Sequence, residues 1–178
     1  MIRFLKNAEL NRPDKDKYQE LPKIPVWIIL DNVRSGLNVG SVFRTADAFL
    51  IEGIMLCGIT SKPPERDILK SALGATETVT WKYHDHTQNA LQELKGSGYE
   101  LYAVEQGEGA QNLDNLNIDS STKFGLVFGH EVKGVDPDLI PMLDGIIQVP
   151  QSGTKHSLNI SVCCGIVIWE FYKHLGIK

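Results

Sequence analysis

Cysteine is scarce in this 178-residue chain: only Cys57, Cys163 and Cys164 occur. Three thiols, two of them adjacent, give no disulfide framework, so a secreted, disulfide-stapled scaffold is excluded and a reducing, cytosolic compartment is expected. Long apolar runs are also missing. The longest strongly apolar stretch, residues 25–30, is far below the roughly 18–20 residues that span a bilayer. The N-terminal MIRFLKNAELNRPDKDK turns charged too early to provide the apolar centre of a secretory signal. No GxSxG elbow, Walker A loop, CxxC pair or GxGxxG fingerprint is present. HExxH zinc chemistry is excluded because Gly134 stands where His130-Glu131 would need its second histidine. His84-Asp85-His86 has no third ligand at suitable spacing and reads as an exposed turn.

What is present is ordinary globular composition, 42% hydrophobic and 22% charged, enough for one compact domain. The net charge of −4 argues on its face against a nucleic-acid partner. Its distribution is uneven, however. Residues 1–24 hold six Lys/Arg against four Asp/Glu, and Arg34, Arg44, Lys62, Arg66, Lys70 and Lys82 follow. From 100 to 144 nine acids face only Lys123 and Lys133. Such a chain either scatters solvated charge or presents one basic face.

Apolar runs at 26–30, 53–58, 77–81, 99–104, 124–129 and 145–149 predict buried strands. Helical patterns fill 39–49, 66–73, 87–95 and 137–143, and the longest candidate is 159–174, with Ile160, Val162, Cys163, Ile166, Val167 and Phe171 at helical spacing. The alternation predicts an α/β fold with a mostly parallel sheet flanked by helices. The polar stretch 11–23, with two prolines, reads as an arm or linker within a basic N-terminal segment 1–24, ahead of a domain spanning 25–178. The adjacent cysteines cannot share a helix face and are expected in the core.

In such sheets ligands sit at the carboxyl ends of the strands, and three loops there are unusual. The first, 31–44, leaves a strand through Gly36 and enters a helix near Asn38; Asn38 caps that helix or touches a ligand, and Arg44 either pairs with Asp47 or faces a substrate. Gly36 and Gly40 would allow a ligand close to the backbone. The second, FGHEVKGV at 128–135, holds Glu131 between two glycines, either as a solvated loop carboxylate or as a site residue. The third, VPQSGTKHSLN at 149–159, leads into the last helix, with Ser157 or Asn159 as its cap and free helix N–H groups suited to polar ligand atoms.

Together the three loops resemble the three motifs of the SpoU/TrmH branch of the SPOUT superfamily, RNA 2′-O-ribose methyltransferases that use S-adenosylmethionine. The matching segments are NVGSVFRTADAF (38–49), LVFGHEVKGV (126–135) and VPQSGTKHSLNISV (149–162), and the resemblance runs from about 25 to 174. KSALGATETVTW (70–81) and YAVEQ (102–106) look most like the branch that methylates the D-loop guanosine of tRNA; 23S ribosomal RNA is the alternative substrate. Val149 and Gln151 depart from the Ile and Met common in the family. The resemblance implies a C-terminal deep trefoil knot, a homodimer and a metal-free methyl transfer. It implies a site formed by Asn38, Arg44, Glu131, Ser157 and Asn159, with the cofactor against Gly129, Val149, Gln151 and Leu158. It places RNA affinity on the 1–24 arm and the dimer surface. Readings from other classes are a catalytically idle RNA-binding knot module and an α/β oxidoreductase, the latter disfavoured by the missing dinucleotide fingerprint.

Overall fold

The computed structural model describes residues 2–176, so the first residue and the last two of the expected 25–178 domain lie outside the described residues. Its frame is a seven-stranded sheet in the order β3-β2-β1-β6-β4-β7-β5, and every pairing is parallel. The strands are β1 (Ile24–Asp31), β2 (Ile51–Cys57), β3 (Trp81–His84), β4 (Tyr99–Val104), β5 (Gln111–Asn112), β6 (Lys123–Phe128) and β7 (Gly145–Gln148). The helices are α1 (Lys15–Glu20), α2 (Gly36–Ala48), α3 (Arg66–Ala72), α4 (Thr87–Gly96) and α5 (Ile160–Leu175).

The period-two geometry of a strand explains why β1 is apolar throughout. Val26, Ile28 and Leu30 face one layer, where they meet Val39, Val42 and Phe43 of α2, Ile68 of α3, and Cys164, Val167 and Phe171 of α5. Trp27 and Ile29 face the other, against Ala90, Leu91 and Leu94 of α4 and Leu139. β1 is therefore buried from both sides, as a central parallel strand must be. Beyond β1 the chain first builds β2 and β3 on one side. It then crosses to lay β4 on the other side and later inserts β6 between β1 and β4, so the sheet order reverses between β1 and β6. In open α/β sheets that reversal leaves a crevice at the carboxyl ends of the strands.

Four local outcomes differ from the sequence reading. The run at 77–81 is not a strand: residues Ala75–Glu77 form a single 3₁₀ turn and β3 begins only at Trp81. Val79 is nonetheless buried, which accounts for the apolar signal. The 137–143 segment is a 3₁₀ stretch, Pro137–Met142, because Pro141 has no N–H and obstructs an α-helical turn. β5 is two polar residues paired to β7, too short and too polar to mark itself. The 11–23 stretch contains α1, capped by Asp14, whose carboxylate accepts from the Lys17 amide. Tyr18 of α1 is buried, Gln19 donates to the Thr78 carbonyl at 2.8 Å, and Lys15 pairs with Glu77 at 3.1 Å, so this part of the N-terminal segment lies against the domain.

The expected helix start near Asn38 also moves: α2 begins at Gly36 with Ser35 as its cap, the Ser35 hydroxyl accepting from the Asn38 amide. The two glycines serve packing between helices rather than ligand approach. A Cβ on Gly40 would lie 2.3 Å from the Ile68 carbonyl oxygen and 3.0 Å from the Ala72 nitrogen, both backbone atoms of α3. Gly40→Ala is expected to push α2 from α3 at a cost of about 2 kcal/mol or more. That corresponds to a Tm drop of roughly 4–8 °C for a chain of this size, measured by thermal unfolding; an unchanged Tm would contradict the close approach.

Candidate functional site

The loops after β1, β6 and β7 converge at the carboxyl edge of the sheet. Glu131 ties the first two. Its carboxylate accepts from the backbone N–H of Arg34 at 3.1 Å and of Ser35 at 2.9 Å, so the loop after β6 grips the loop after β1 across the sheet reversal. Burial pushes the Glu131 carboxyl up, but the backbone amides of its own residue, Ser35 and Arg34, with the Asn38 side chain, outweigh that and hold it below the usual carboxylate range. Both carboxylate oxygens are committed to these donors. Glu131 is thereby a loop clamp.

The second tie runs from Asn159 to Asn38. The Asn159 side-chain amide donates to the Asn38 Oδ1 at 3.2 Å, while its own Oδ1 accepts from the Ser161 amide and caps α5. One asparagine thus caps the last helix and bridges to the first turn of α2. Asn38 is not itself a helix cap.

The loop between Gly129 and Val135 is a compact hairpin. His130 and Gly134 exchange two backbone hydrogen bonds of 3.0 and 2.8 Å, and the His130 ring nitrogen accepts from the Val132 amide. A Cβ on Gly129 would sit 2.1 Å from the backbone of Gly134 and Val135, so only glycine fits there. Gly134 has φ +71 and lies against the Glu105 carboxylate.

Between these loops lies a cleft of about 370 Å³, within the usual range for a small-molecule site. Gly129, Glu131, Val149, Gln151, Ser157, Leu158 and Asn159 all border it. Asn38 joins through Asn159. Arg44 does not border the cleft; it is exposed on α2, and the pairing with Asp47 does not form, because Asp47 accepts from the Thr78 hydroxyl instead. Among the described residues Arg44 has no hydrogen-bond or ion-pair partner, which leaves its guanidinium available to a ligand.

Several bordering residues escaped the sequence reading. Glu105 and Gln106 follow β4, and Gln106 donates to the His156 carbonyl at 2.5 Å, fastening the third loop. Two polar residues directly after a buried strand were the available signal. Cys163, expected in the core, packs against it half-buried and also borders the cleft, while its neighbour Cys164 is fully buried in the core. Burial, with Glu105 adding, pushes the Cys163 thiol up to about 11, so it stays protonated near neutral pH and is no nucleophile. Among the described residues no group of His, Cys, Asp and Glu gathers in a metal-binding arrangement, and no helix is long and apolar enough to cross a membrane.

Because the Glu131 carboxyl is held low, its clamp is fully formed above pH 4.5 and is lost as pH falls from there through the folded-state value. Glu131→Gln should lower stability at neutral pH by about 1 kcal/mol, the modest end for bonds to an exposed charge. The difference from wild type should shrink towards pH 3. Thermal unfolding of both proteins across pH 3–7 checks this, and a pH-independent difference would contradict the clamp.

Comparison with known proteins gives this geometry its family. The SpoU rRNA Methylase family matches residues 25–169. A tRNA/rRNA methyltransferase of Synechocystis, itself uncharacterized, is 31% identical over 166 residues, covering 90% of this chain and 41% of its own. A 23S rRNA (guanosine-2′-O-)-methyltransferase of Neisseria meningitidis serogroup B is 29% identical over 164 residues, 92% of this chain and 64% of its own. This chain therefore spans less than two thirds of the length of these relatives. The AdoMet-bound rRNA methyltransferase of Sinorhizobium meliloti superposes with a TM-score of 0.79 at 25% identity, over 89% of this chain and 60% of that one. The TrmH/SpoU tRNA modifying enzyme of A. aeolicus shares the fold with a TM-score of 0.78 at 24% identity, over 89% and 81%. With nearly the whole parallel sheet and all three cleft loops inside the matched span, this chain belongs to the SpoU rRNA Methylase family.

Proposed function

We propose that the protein is an S-adenosylmethionine-dependent RNA 2′-O-ribose methyltransferase, with the D-loop guanosine of tRNA as its target. The observation that carries the reading is the pair of ties, Glu131 to the Arg34–Ser35 backbone and Asn159 to Asn38, which gathers three motif loops around one cleft. The likeness of 70–81 and 102–106 to the tRNA branch supports the target. A 23S ribosomal RNA target is the second reading, favoured by the Neisseria relative.

The cleft suits the cofactor. Val104, Phe128, Val149, Leu158 and Ile160 provide apolar walls for a purine, and the glycine-bordered backbone of 129–134 and the start of α5 present N–H and C=O groups for polar ends. Gly129, Val149, Gln151 and Leu158 would hold it, with Ser157 adding a hydroxyl. When bound, the cofactor supplies a methyl group on a sulfonium, already a good electrophile. The protein's remaining task is to align a ribose hydroxyl and manage its proton. Glu131 and Asn159 keep the walls in place, and Asn38 stands where the α2 and α5 loops meet. Arg44 grips a phosphate beside the reacting ribose and stabilises charge on the 2′-oxygen as it attacks; a guanidinium is permanently charged and makes a poor base.

The same proposal includes a knotted C-terminal portion and a homodimer in the cytoplasm. The return of α5 onto α2 and β1 after the 149–159 loop supports the first. For the second, Val162, Ile166 and Trp169 leave an apolar stripe on α5 exposed, beside a ring cluster of Phe49, Trp169 and Tyr172, the kind of face a second copy covers.

The deciding experiment is methyl transfer from labelled S-adenosylmethionine to unmodified tRNA and, separately, to ribosomal RNA, with mapping of the labelled nucleotide. Label on the D-loop guanosine supports the first reading; label only in ribosomal RNA moves the target; absence of both, despite cofactor binding, overturns both RNA readings. Arg44→Lys should keep RNA affinity within a few fold while turnover falls ~100-fold, as when one stabiliser of transition-state charge is removed. Near-normal turnover in single-turnover assays would contradict that role.

A further inference from the structure

The α2–α3 layer carries a surface that the cleft does not use. Two close approaches fix α3 alongside α2, and a third contact ties α2 to the segment that follows α3. A Cβ on Gly36 would meet Glu65, one on Gly40 would meet Ile68 and Ser71, and Asp47 accepts from Thr78 just past α3. Gly36, Gly40 and Arg44 follow one another at four-residue spacing on α2 and so share one row of that helix. Arg44 accordingly falls level with the C-terminal end of α3, between the Gly40 and Asp47 contacts.

On α3, Arg66, Leu69, Lys70 and Leu73 recur at i, i+3, i+4 and i+7, and all four are exposed. Arg66 and Lys70 have no ion-pair or hydrogen-bond partner among the described residues. Of the neighbouring acids, Glu77 pairs with Lys15, while Glu65 caps α3 through the Asp67 and Ile68 amides and keeps its negative charge. Among the described residues of this face, Asp67 alone keeps a free carboxylate. In a protein of net charge −4, the unpartnered Arg44, Arg66 and Lys70 outnumber the acids of this face that lack an ion-pair partner, Glu65 and Asp67, and Leu69 and Leu73 share the α3 face with Arg66 and Lys70.

Leu73 is the independent observation. It caps α3 in the left-handed region at φ 50, ψ 43, a place normally taken by glycine, and the residue is 67% exposed. The helix end would be better served by glycine, and the core gains little from this leucine. Backbone strain is spent here to hold an apolar side chain out in solvent.

We propose that the exposed face of α3 docks the RNA strand entering the site. Arg66 and Lys70 hold phosphates along it, and Leu69 with Leu73 packs against an unstacked base or ribose. Apolar contact requires a base free of its helix, so the face selects a loop or single-stranded segment rather than duplex. The proposal rests on the RNA-methyltransferase reading and adds the element that positions the strand relative to Arg44.

Two variants test it, Leu73→Gly and the double Arg66→Gln/Lys70→Gln, using the full chain, a tRNA transcript and ribosomal RNA. Leu73→Gly relieves the left-handed strain, so its Tm should hold or rise, and the Tm gain on adding S-adenosylmethionine should match wild type. Its RNA Kd and KM should nevertheless rise about 10-fold, the scale of removing the packing under one base, with kcat changed less than this. The double variant should flatten the dependence of log K on log salt by roughly 0.7 for each phosphate that is no longer neutralised. Wild-type RNA affinity and salt slope in both variants would overturn the proposal. So would a change in oligomeric state with RNA binding intact, which would make this face a protein interface. A wild-type protein that neither binds nor methylates either RNA would overturn the underlying reading and this proposal with it.

Discussion

The carboxylate of Glu131 on the backbone amides of Arg34 and Ser35 is the contact on which the site depends. It lies just past the paired ends of β1 and β6, where the order of the sheet reverses. Without it the hairpin after β6 and the entry to α2 would be two independent solvent loops. With it, Asn38 is held where Asn159 can reach it, and the cap of α5 becomes part of the same structure. A charged acceptor suits this role because bonds to charge are stronger and shorter than neutral ones.

The rigidity of that arrangement comes from the sheet below it. β1 is buried on both faces, and the layers above and below it are set by alternate side chains of one eight-residue strand. Gly40 lets α2 lie directly on the backbone of α3, which fixes the row carrying Arg44 relative to the neighbouring helix. The molecule thus separates its tasks. A cleft with apolar walls and committed polar groups sits over β6, β4 and β7, and the exposed, unpartnered Arg44, Arg66 and Lys70 sit on α2 and α3. The methyl transfer proposed above would use that division, enclosing a small cofactor while a large anionic substrate approaches from outside.

Much of this was legible in the chain. The apolar runs at 26–30, 99–104 and 124–129 became β1, β4 and β6 because a doubly covered parallel strand has no polar face to disguise it. The long apolar periodicity near the C-terminus became α5. Errors arose where local chemistry opposed the pattern. Pro141 tightened a helical run into 3₁₀ turns, and the left-handed pair Leu73–Gly74 delayed β3 to Trp81. α1 was hidden because Tyr18 is its only buried residue, too little for any periodicity.

For the site, the order of residues was enough to show which groups were available: three loops after strands, each with glycine beside a polar group, and the motif spacing that groups them. Side-chain type and position along the chain suffice for that. Which of those groups touch was decided by folding alone, because hydrogen-bond partners lie as far apart as Asn38 and Asn159 or Ser35 and Glu131. Folding assigned Ser35 rather than Asn38 as the cap of α2, committed Asp47 to Thr78 and so left Arg44 unpaired, and brought Glu105, Gln106 and Cys163 to the cleft. Backbone amides and carbonyls supply most of those partners, every residue carries them, and only the fold determines which ones are left to bind.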